Sequence, residues 1–317
     1  MLIQFLLLIL GLSLLWGGAE LLIRYSSSLA RALGVSPIII GLTVVSIGTS
    51  LPEFVVSLIA AIQNTMGISI GNIVGSNIAN ICLILGIGAF ITNLQVKKGW
   101  IYKEVPFMIA STLLFLVFTR TGYVIDRWEG IILLVLLLGF LSYLSRTSVI
   151  QMQDFSESKQ ETQHVKLSRK VLYLILASVG IVILIAGSKL TVDSGTEIAR
   201  AFGVSDIVIG LTLIAVGTSL PELATTIVGA LNNETDIVIG NVIGSNIFNL
   251  LFIGGTIATF KPLEIPPDFF GLEFIFLLGT SLLIWPIMRL KWNVQKFEGF
   301  VLLILYFTFV GLTLILS

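Results

Sequence analysis

Charge is scarce in this chain. Only 11% of its 317 residues are Asp, Glu, Lys or Arg, whereas 56% are hydrophobic. A soluble globular domain carries roughly a quarter charged residues, so the composition excludes that class. The 18 basic and 18 acidic side chains cancel, which leaves no basic surface to neutralise a nucleic acid. Cysteine occurs once, at Cys82, so no intrachain disulfide can form; a small apolar packing residue is a simpler reading than a redox thiol. Histidine also occurs once, at His164 in the most polar stretch, where it reads as a solvated loop residue. With no His–Cys cluster, zinc and copper are disfavoured. A basic leader is missing too. Met1-Leu2-Ile3-Gln4 is apolar and does not resemble a cleaved signal peptide, so the first helix is read as a permanent span.

What the chain has is hydrophobic length. Mean hydropathy is +1.04, and several apolar runs reach the ~20 residues that cross a bilayer core as a helix. Ten membrane segments are expected, at 3–23, 36–62, 67–92, 104–119, 128–146, 169–190, 205–231, 236–260, 269–288 and 297–316. The one long polar stretch, Arg146 to Lys170, reads as an exposed linker. The expected organisation is a five-helix unit over 1–146, a linker over 147–168 and a second five-helix unit over 169–317.

The two units repeat at an offset of 169 residues. Across 34–53 against 203–222, fourteen of twenty positions are identical without a gap. The same offset pairs Gly71-Asn72 with Gly240-Asn241, Gly75-Ser76-Asn77 with Gly244-Ser245-Asn246, Asn80 with Asn249, and Glu129-Gly130 with Glu298-Gly299. Chance does not produce this; the chain is an internal duplication. Five spans per unit is an odd number, so the second copy enters the membrane from the opposite face. The expected fold is an all-α membrane protein of ten transmembrane helices in two inverted-topology repeats, a construction used by secondary transporters. Five Lys and Arg residues fall on the face that holds the termini and thirteen on the other. The positive-inside rule then puts the linker in the cytoplasm and both termini outside, in a cell membrane.

Within the second and seventh spans stand Ser46-Ile47-Gly48-Thr49-Ser50-Leu51-Pro52-Glu53 and Ala215-Val216-Gly217-Thr218-Ser219-Leu220-Pro221-Glu222. Each proline lacks an N–H and clashes with the carbonyl four residues earlier, which opens the helix. Open backbone at membrane depth survives only where protein buries it or a wet cavity meets it. Glu53 and Glu222 add charge there, and an intramembrane carboxylate costs at least ~2.5 kcal/mol even on lenient scales. No Lys or Arg lies near the middle of a span to pair with them. Thr49, Ser50, Thr218 and Ser219 supply small oxygens beside them, although Ser and Thr often bond back to their own helix. Ser76 and Asn80 lie four apart on one helix face, as do Ser245 and Asn249. The glycine pairs Gly71/Gly75 and Gly240/Gly244 suit close helix packing, and Asn72, Asn77, Asn241 and Asn246 suit interhelical glue. An all-oxygen cage of formal charge −2 is suited to hard cations, Ca²⁺ in particular.

These duplicated motifs, Gly48-Thr49-Ser50-Leu51-Pro52-Glu53 and Gly75-Ser76-Asn77 with their second copies, resemble those of the sodium/calcium exchanger family, within the wider cation/Ca²⁺ exchanger superfamily. The resemblance runs over essentially the whole chain and is to the compact prokaryotic type. It implies that Glu53 and Glu222 hold Ca²⁺ centrally with the carbonyls of Thr49 and Thr218. It implies one flanking Na⁺ site from the Ser46 carbonyl, Ser50 and Ser76, and an inverted one from the Ala215 carbonyl, Ser219 and Ser245, with Asn80 and Asn249 lining the middle. Some relatives carry Asp where Asn249 stands, and Asn there argues against potassium co-transport.

The expected function is secondary antiport of Na⁺ against Ca²⁺, with inorganic cations as substrates, lipid as surroundings, and neither a cofactor nor an obligatory protein partner. The two ions need the same carboxylates and cannot load together, and the unloaded pair should resist crossing. The first and sixth helices would slide to alternate access, with Gly17, Gly18 and Gly187 at the sliding contact. The alternative is an H⁺/Ca²⁺ or other divalent antiporter, because two close carboxylates resist being charged together. An intramembrane enzyme is disfavoured, since catalytic acid and base need unlike environments and these two are symmetric. A channel would usually place its carboxylates in a ring between subunits.

Overall fold

The computed structural model describes residues 1–96, 99, 102–158, 166–203, 215–265 and 271–316. Helix α1, Leu2–Leu33, is a single long rod that ends at Gly34, whose φ of 72° only glycine adopts without strain. The Val35 N–H then reaches back to the Ala30 carbonyl at 3.1 Å, closing the helix end. Helices α2, Pro37–Thr49, and α3, Leu51–Ile62, form one span bent by 43°. Then come α4, Met66–Ile91, β1, Leu94–Gln95, α5, Glu104–Arg120, β2, Val124–Ile125, and α6, Arg127–Ser158. The second half holds α7, Leu167–Ala201, the short turn Ala215–Gly217, α8, Leu220–Leu231, and α9, Thr235–Phe260. It closes with β3, Leu263–Glu264, α10, Leu272–Lys291, β4, Asn293–Val294, and α11, Lys296–Leu316.

Among the described residues, seven helices are long and apolar enough to cross a membrane, or eight when the bent α2–α3 pair counts as one span. The membrane part is all helical. Some expected boundaries move. The first helix extends ten residues beyond 23, and the helix starting at Arg127 continues to Ser158, into the stretch read as linker. Residues 159–165 of that linker lie outside the described residues, as do 205–214 at the start of the seventh expected span.

Burial separates a centre from a periphery. The apolar windows of α4 and α9 are 83% and 94% buried, against 33% and 28% for α1 and α7. So α4 and α9 form the core, and the long helices α1 and α7 lie outside it with one face left for lipid. These two pack backbone to backbone. A Cβ added at Gly18 would stand 2.8 Å from the Leu184 nitrogen and 2.9 Å from the Gly180 carbonyl, and one at Gly187 would meet the Leu15 nitrogen at 2.7 Å. Gly17, by contrast, has nothing within 4 Å, so it takes no part in that contact.

Contacts between the halves come in offset pairs. Strand β1 pairs antiparallel with β4, Leu94 opposite Val294; β2 pairs with β3, Ile125 opposite Leu263. Adding or subtracting 169 converts one ladder into the other. The Val96 N–H bonds the Trp292 carbonyl at 2.8 Å and the Ile265 N–H bonds the Tyr123 carbonyl at 2.8 Å, again an offset pair. Thr112 of α5 and Ser281 of α10 are each other's offset partners, and their hydroxyls meet at 3.4 Å.

Candidate cation site

The two helix breaks build the site. Ser50 leaves helical geometry at φ −83°, ψ 6°, and Ser219 does the same at φ −88°, ψ 6°. Each break starts a new helix with proline in its first turn and Glu53 or Glu222 at its third position. A helix N-terminus carries partial positive charge, so the new helix itself helps hold each carboxylate. Both glutamates are 1% exposed.

The halves then cross. Ser50 donates to Glu222 Oε1 at 3.1 Å, and Ser219 donates to Glu53 Oε1 at 3.1 Å. Each serine thus serves the other copy's carboxylate and brings Glu53 and Glu222 within electrostatic reach of one another. Ser219 also lies 3.5 Å from the Ser76 hydroxyl. Ser76 and Ser245 come from α4 and α9, as do Asn80 and Asn249, the residues that open π-turns over Asn80–Ile84 and Asn249–Gly254. Short π-turns of this kind concentrate at functional sites, because they widen the helix and release a carbonyl.

The second carboxylate oxygens carry the chemistry. Glu53 Oε2 and Glu222 Oε2 are buried without a hydrogen-bond partner, and so are both amide atoms of Asn80 and of Asn249, the Ser245 hydroxyl and Asn77 Oδ1. Buried polar atoms are almost always paired, and an unpaired one costs about 1–3 kcal/mol. A set of orphan oxygens around two carboxylates is suited to a hard cation, which replaces hydration with protein oxygens. Among the described residues no group of three or more His, Cys, Asp or Glu could hold a metal ion, so the remaining donors are neutral oxygens.

The asparagines singled out as glue divide into two roles. Asn77 and Asn246 donate to carbonyls of their own helices, Ile73 and Val242, each at 2.7 Å. Asn72 donates to the Glu53 carbonyl at 3.0 Å and to Ser57 at 2.8 Å, while its Oδ1 accepts from Thr218 at 3.3 Å. Asn241 donates to Thr225 at 3.2 Å and accepts from Thr49 at 3.1 Å. The threonine hydroxyls therefore point to asparagines, which leaves the Thr49 and Thr218 carbonyls as their means of reaching an ion. Ser57 and Thr225 were not anticipated, yet they sit four and three residues after the two glutamates, on the same helix face.

The last turn before each break differs between the copies. The Ser50 N–H bonds the Ser46 carbonyl at 3.1 Å, whereas the Ser219 N–H bonds the Val216 carbonyl at 3.1 Å rather than that of Ala215. The carbonyl that Pro221 leaves without its helix partner, Gly217, accepts the Ser188 hydroxyl from α7 at 2.7 Å. Ala19 stands at the offset position of Ser188 and has no hydroxyl to give Gly48.

A family model described as sodium/calcium exchanger protein matches residues 3–146 and 172–315, two stretches with the 169-residue offset of the internal repeat. The inner membrane protein YrbG of Escherichia coli (strain K12) is 37% identical over 287 residues, covering 89% of this chain and 88% of that protein. The sodium/calcium exchanger MaX1 of Methanosarcina acetivorans is 32% identical, with 97% of each chain covered. Among solved structures, the sodium-calcium exchanger NCX_Mj soaked with Na⁺ and Sr²⁺ superposes with a TM-score of 0.84 at 32% identity, over 97% of both chains. Fold, duplicated motif and full-length similarity agree, and the chain is a member of the sodium/calcium exchanger protein family.

Proposed function

We propose that this protein exchanges Na⁺ for Ca²⁺ across a cell membrane by alternating access, both ions competing for one site between the halves. The observation that carries the reading is the set of orphaned buried oxygens on Glu53, Glu222, Asn80, Asn249 and Ser245. Glu53 and Glu222 take Ca²⁺ with the carbonyls of Thr49 and Thr218. Na⁺ occupies flanking positions, one at the Ser46 carbonyl, Ser50 and Ser76, the other at the Ala215 carbonyl, Ser219 and Ser245. Two unneutralised buried carboxylates are costly to move across a membrane, so either load permits crossing and the unloaded site does not.

The architecture that suits this cycle is ten spans in two inverted five-helix repeats, 1–146 and 169–317, joined by a cytoplasmic linker over 147–168, with the termini outside. The reciprocal ladders support it, since a contact set that maps onto itself when the halves are exchanged is what a two-fold axis produces. The α1–α7 pair, touching through Gly11, Gly18, Gly180 and Gly187, is the element that moves past the core. The test is Ca²⁺ uptake into sealed proteoliposomes under an outward Na⁺ gradient at matched pH, beside an outward proton gradient without Na⁺. Uptake driven by Na⁺ alone, and lost in Glu53→Gln and Glu222→Gln, is the expected result. Uptake driven only by protons would keep the site and replace the coupling ion.

A further inference from the structure

Helices α1 and α7 are offset partners, so a strictly two-fold molecule would treat their contacts with the core alike. Here they differ. Val228, near the end of α8, is 1% exposed, while its offset partner Ile59 in α3 is 47% exposed. Helix α1 lies over that end of α8: a Cβ added at Gly229 would meet Ile23 Cδ1 at 3.4 Å. Polar groups fasten the same end. Arg31 donates to the Ser27 hydroxyl at 2.6 Å, and Ser27 donates in turn to Glu234 Oε1 at 2.5 Å. The Arg31 guanidinium also lies 3.6 Å from that carboxylate oxygen. Beside it, Asn232 donates to Glu20 Oε2 at 3.1 Å. The offset partners of Arg31, Ser27 and Glu234 are Arg200, Thr196 and Thr65. The cation and the hydroxyl persist, but the carboxylate is replaced by neutral Thr65, whose hydroxyl donates to the Ala60 carbonyl at 3.0 Å.

We infer that Glu234 is a positioning residue for transport: it fastens α1 to the turn between α8 and α9 and holds the access path closed at that end of the molecule only. The inference rests on the alternating-access reading above, in which that end faces the cytoplasm. The Arg31–Glu234 pair alone would do little, because its side chains are 65% and 26% exposed and such pairs are screened. The hydrogen bond from Ser27 differs, since Ser27 is only 1% exposed and its acceptor is ionised, which makes the bond charge-assisted. Opening this end separates α1 from the turn and leaves the Ser27 hydroxyl without its acceptor. Opening the other end breaks no equivalent bond, because residue 65 offers no carboxylate. A contact made in one state and absent from its mirror state shifts the balance between them by the free energy of that contact.

The test reads both ends of the full-length protein in membranes. Cys82, the sole cysteine, is replaced (Cys82→Ala), and Val228→Cys or Ile59→Cys is added for reaction with a small thiol reagent. In this background, Ile59→Cys should react readily and Val228→Cys slowly. Adding Glu234→Ala should raise the rate at Val228→Cys about fivefold or more, the lower end for a coupling between two states, and lower it at Ile59→Cys. Glu234→Gln, which keeps an acceptor for Ser27 but loses the charge, should fall between; it also serves if the alanine variant does not fold. Thr65→Glu, which faces Thr196 and Arg200 with a carboxylate, should act in reverse and protect Ile59→Cys. Unchanged rates at both positions would overturn the inference. So would a rise at Val228→Cys with Ile59→Cys unaffected, since that reports a loosened turn rather than a shifted state. Loss of Na⁺-driven Ca²⁺ uptake in the unmodified chain would instead strike the exchange reading, and the labelling experiment separates the two.

Discussion

Glu53 and Glu222 each have one carboxylate oxygen held by a serine of the opposite copy and one left over. That division assigns a task to each atom: Oε1 fixes the side chain and Oε2 remains for cargo. The crossing serines are then more than packing. If their hydroxyls also serve the flanking Na⁺ positions, Ser50→Ala and Ser219→Ala should weaken Na⁺ competition more than Ca²⁺ binding. About tenfold in apparent Na⁺ affinity, or ~1.4 kcal/mol, is expected for one lost ligand oxygen. Titrating Na⁺ inhibition of Ca²⁺ exchange checks this. Equal weakening of both ions would mean that the serines only hold the carboxylates. At this scale the sequence was partly legible. The duplicated Pro-Glu pairs marked the carboxylates, but nothing in them told that Ser50 serves Glu222 rather than Glu53. That depends on which copy lies across the break.

At the scale of elements, the breaks and the glycine contact divide the labour. Ser50 and Ser219 end one helix and Pro52 and Pro221 begin the next, so rigid segments carry the site residues on either side of a hinge. The α1–α7 contact is the opposite device, two unbroken rods whose backbones touch. A side chain at Gly18 or Gly180 would face backbone atoms 2.8–2.9 Å away, which cannot give without separating the helices. Gly18→Ala should therefore destabilise by about 1–3 kcal/mol through overpacking, whereas Gly17→Ala should be nearly neutral. Thermal unfolding in detergent compares the pair, and equal effects would remove the close contact from the account. The sequence named Gly17, Gly18 and Gly187 alike. Only the rotation of α1 about its axis, fixed by packing, separates the first from the other two.

At the scale of the whole molecule, the duplication makes a claim about sides. Asn64 and Asn233 are offset partners in exposed turns, with left-handed φ of 62° and 58°. Asparagine tolerates this conformation, so each turn is built by the same local chemistry. If the repeats are inverted, the two turns lie on opposite faces. In a Cys82→Ala background, Asn64→Cys should react with an impermeant thiol reagent from outside and Asn233→Cys only from the cytoplasmic side. Labelling of both from one side would end the inverted architecture. Neither Gln151 to Glu161 nor any other single stretch decides this; it is a property of parity and of where the basic residues collect.

The sequence by itself determined the membrane class, the duplication and the identity of the charged pair. Each of these is local or periodic: hydrophobic run length, a fixed offset, a proline beside an acid. The tertiary structure alone decided which oxygens are engaged and which are spare, that Asn72 and Asn241 brace the site while Asn77 and Asn246 bond their own helices, and that Ser188 takes the Gly217 carbonyl. It also decided where the symmetry lapses, at Val228 against Ile59 and at Glu234 against Thr65. Repeats copy residue types, but the contacts between copies depend on the relative placement of rods far apart in the chain, and no spacing along the chain encodes that placement.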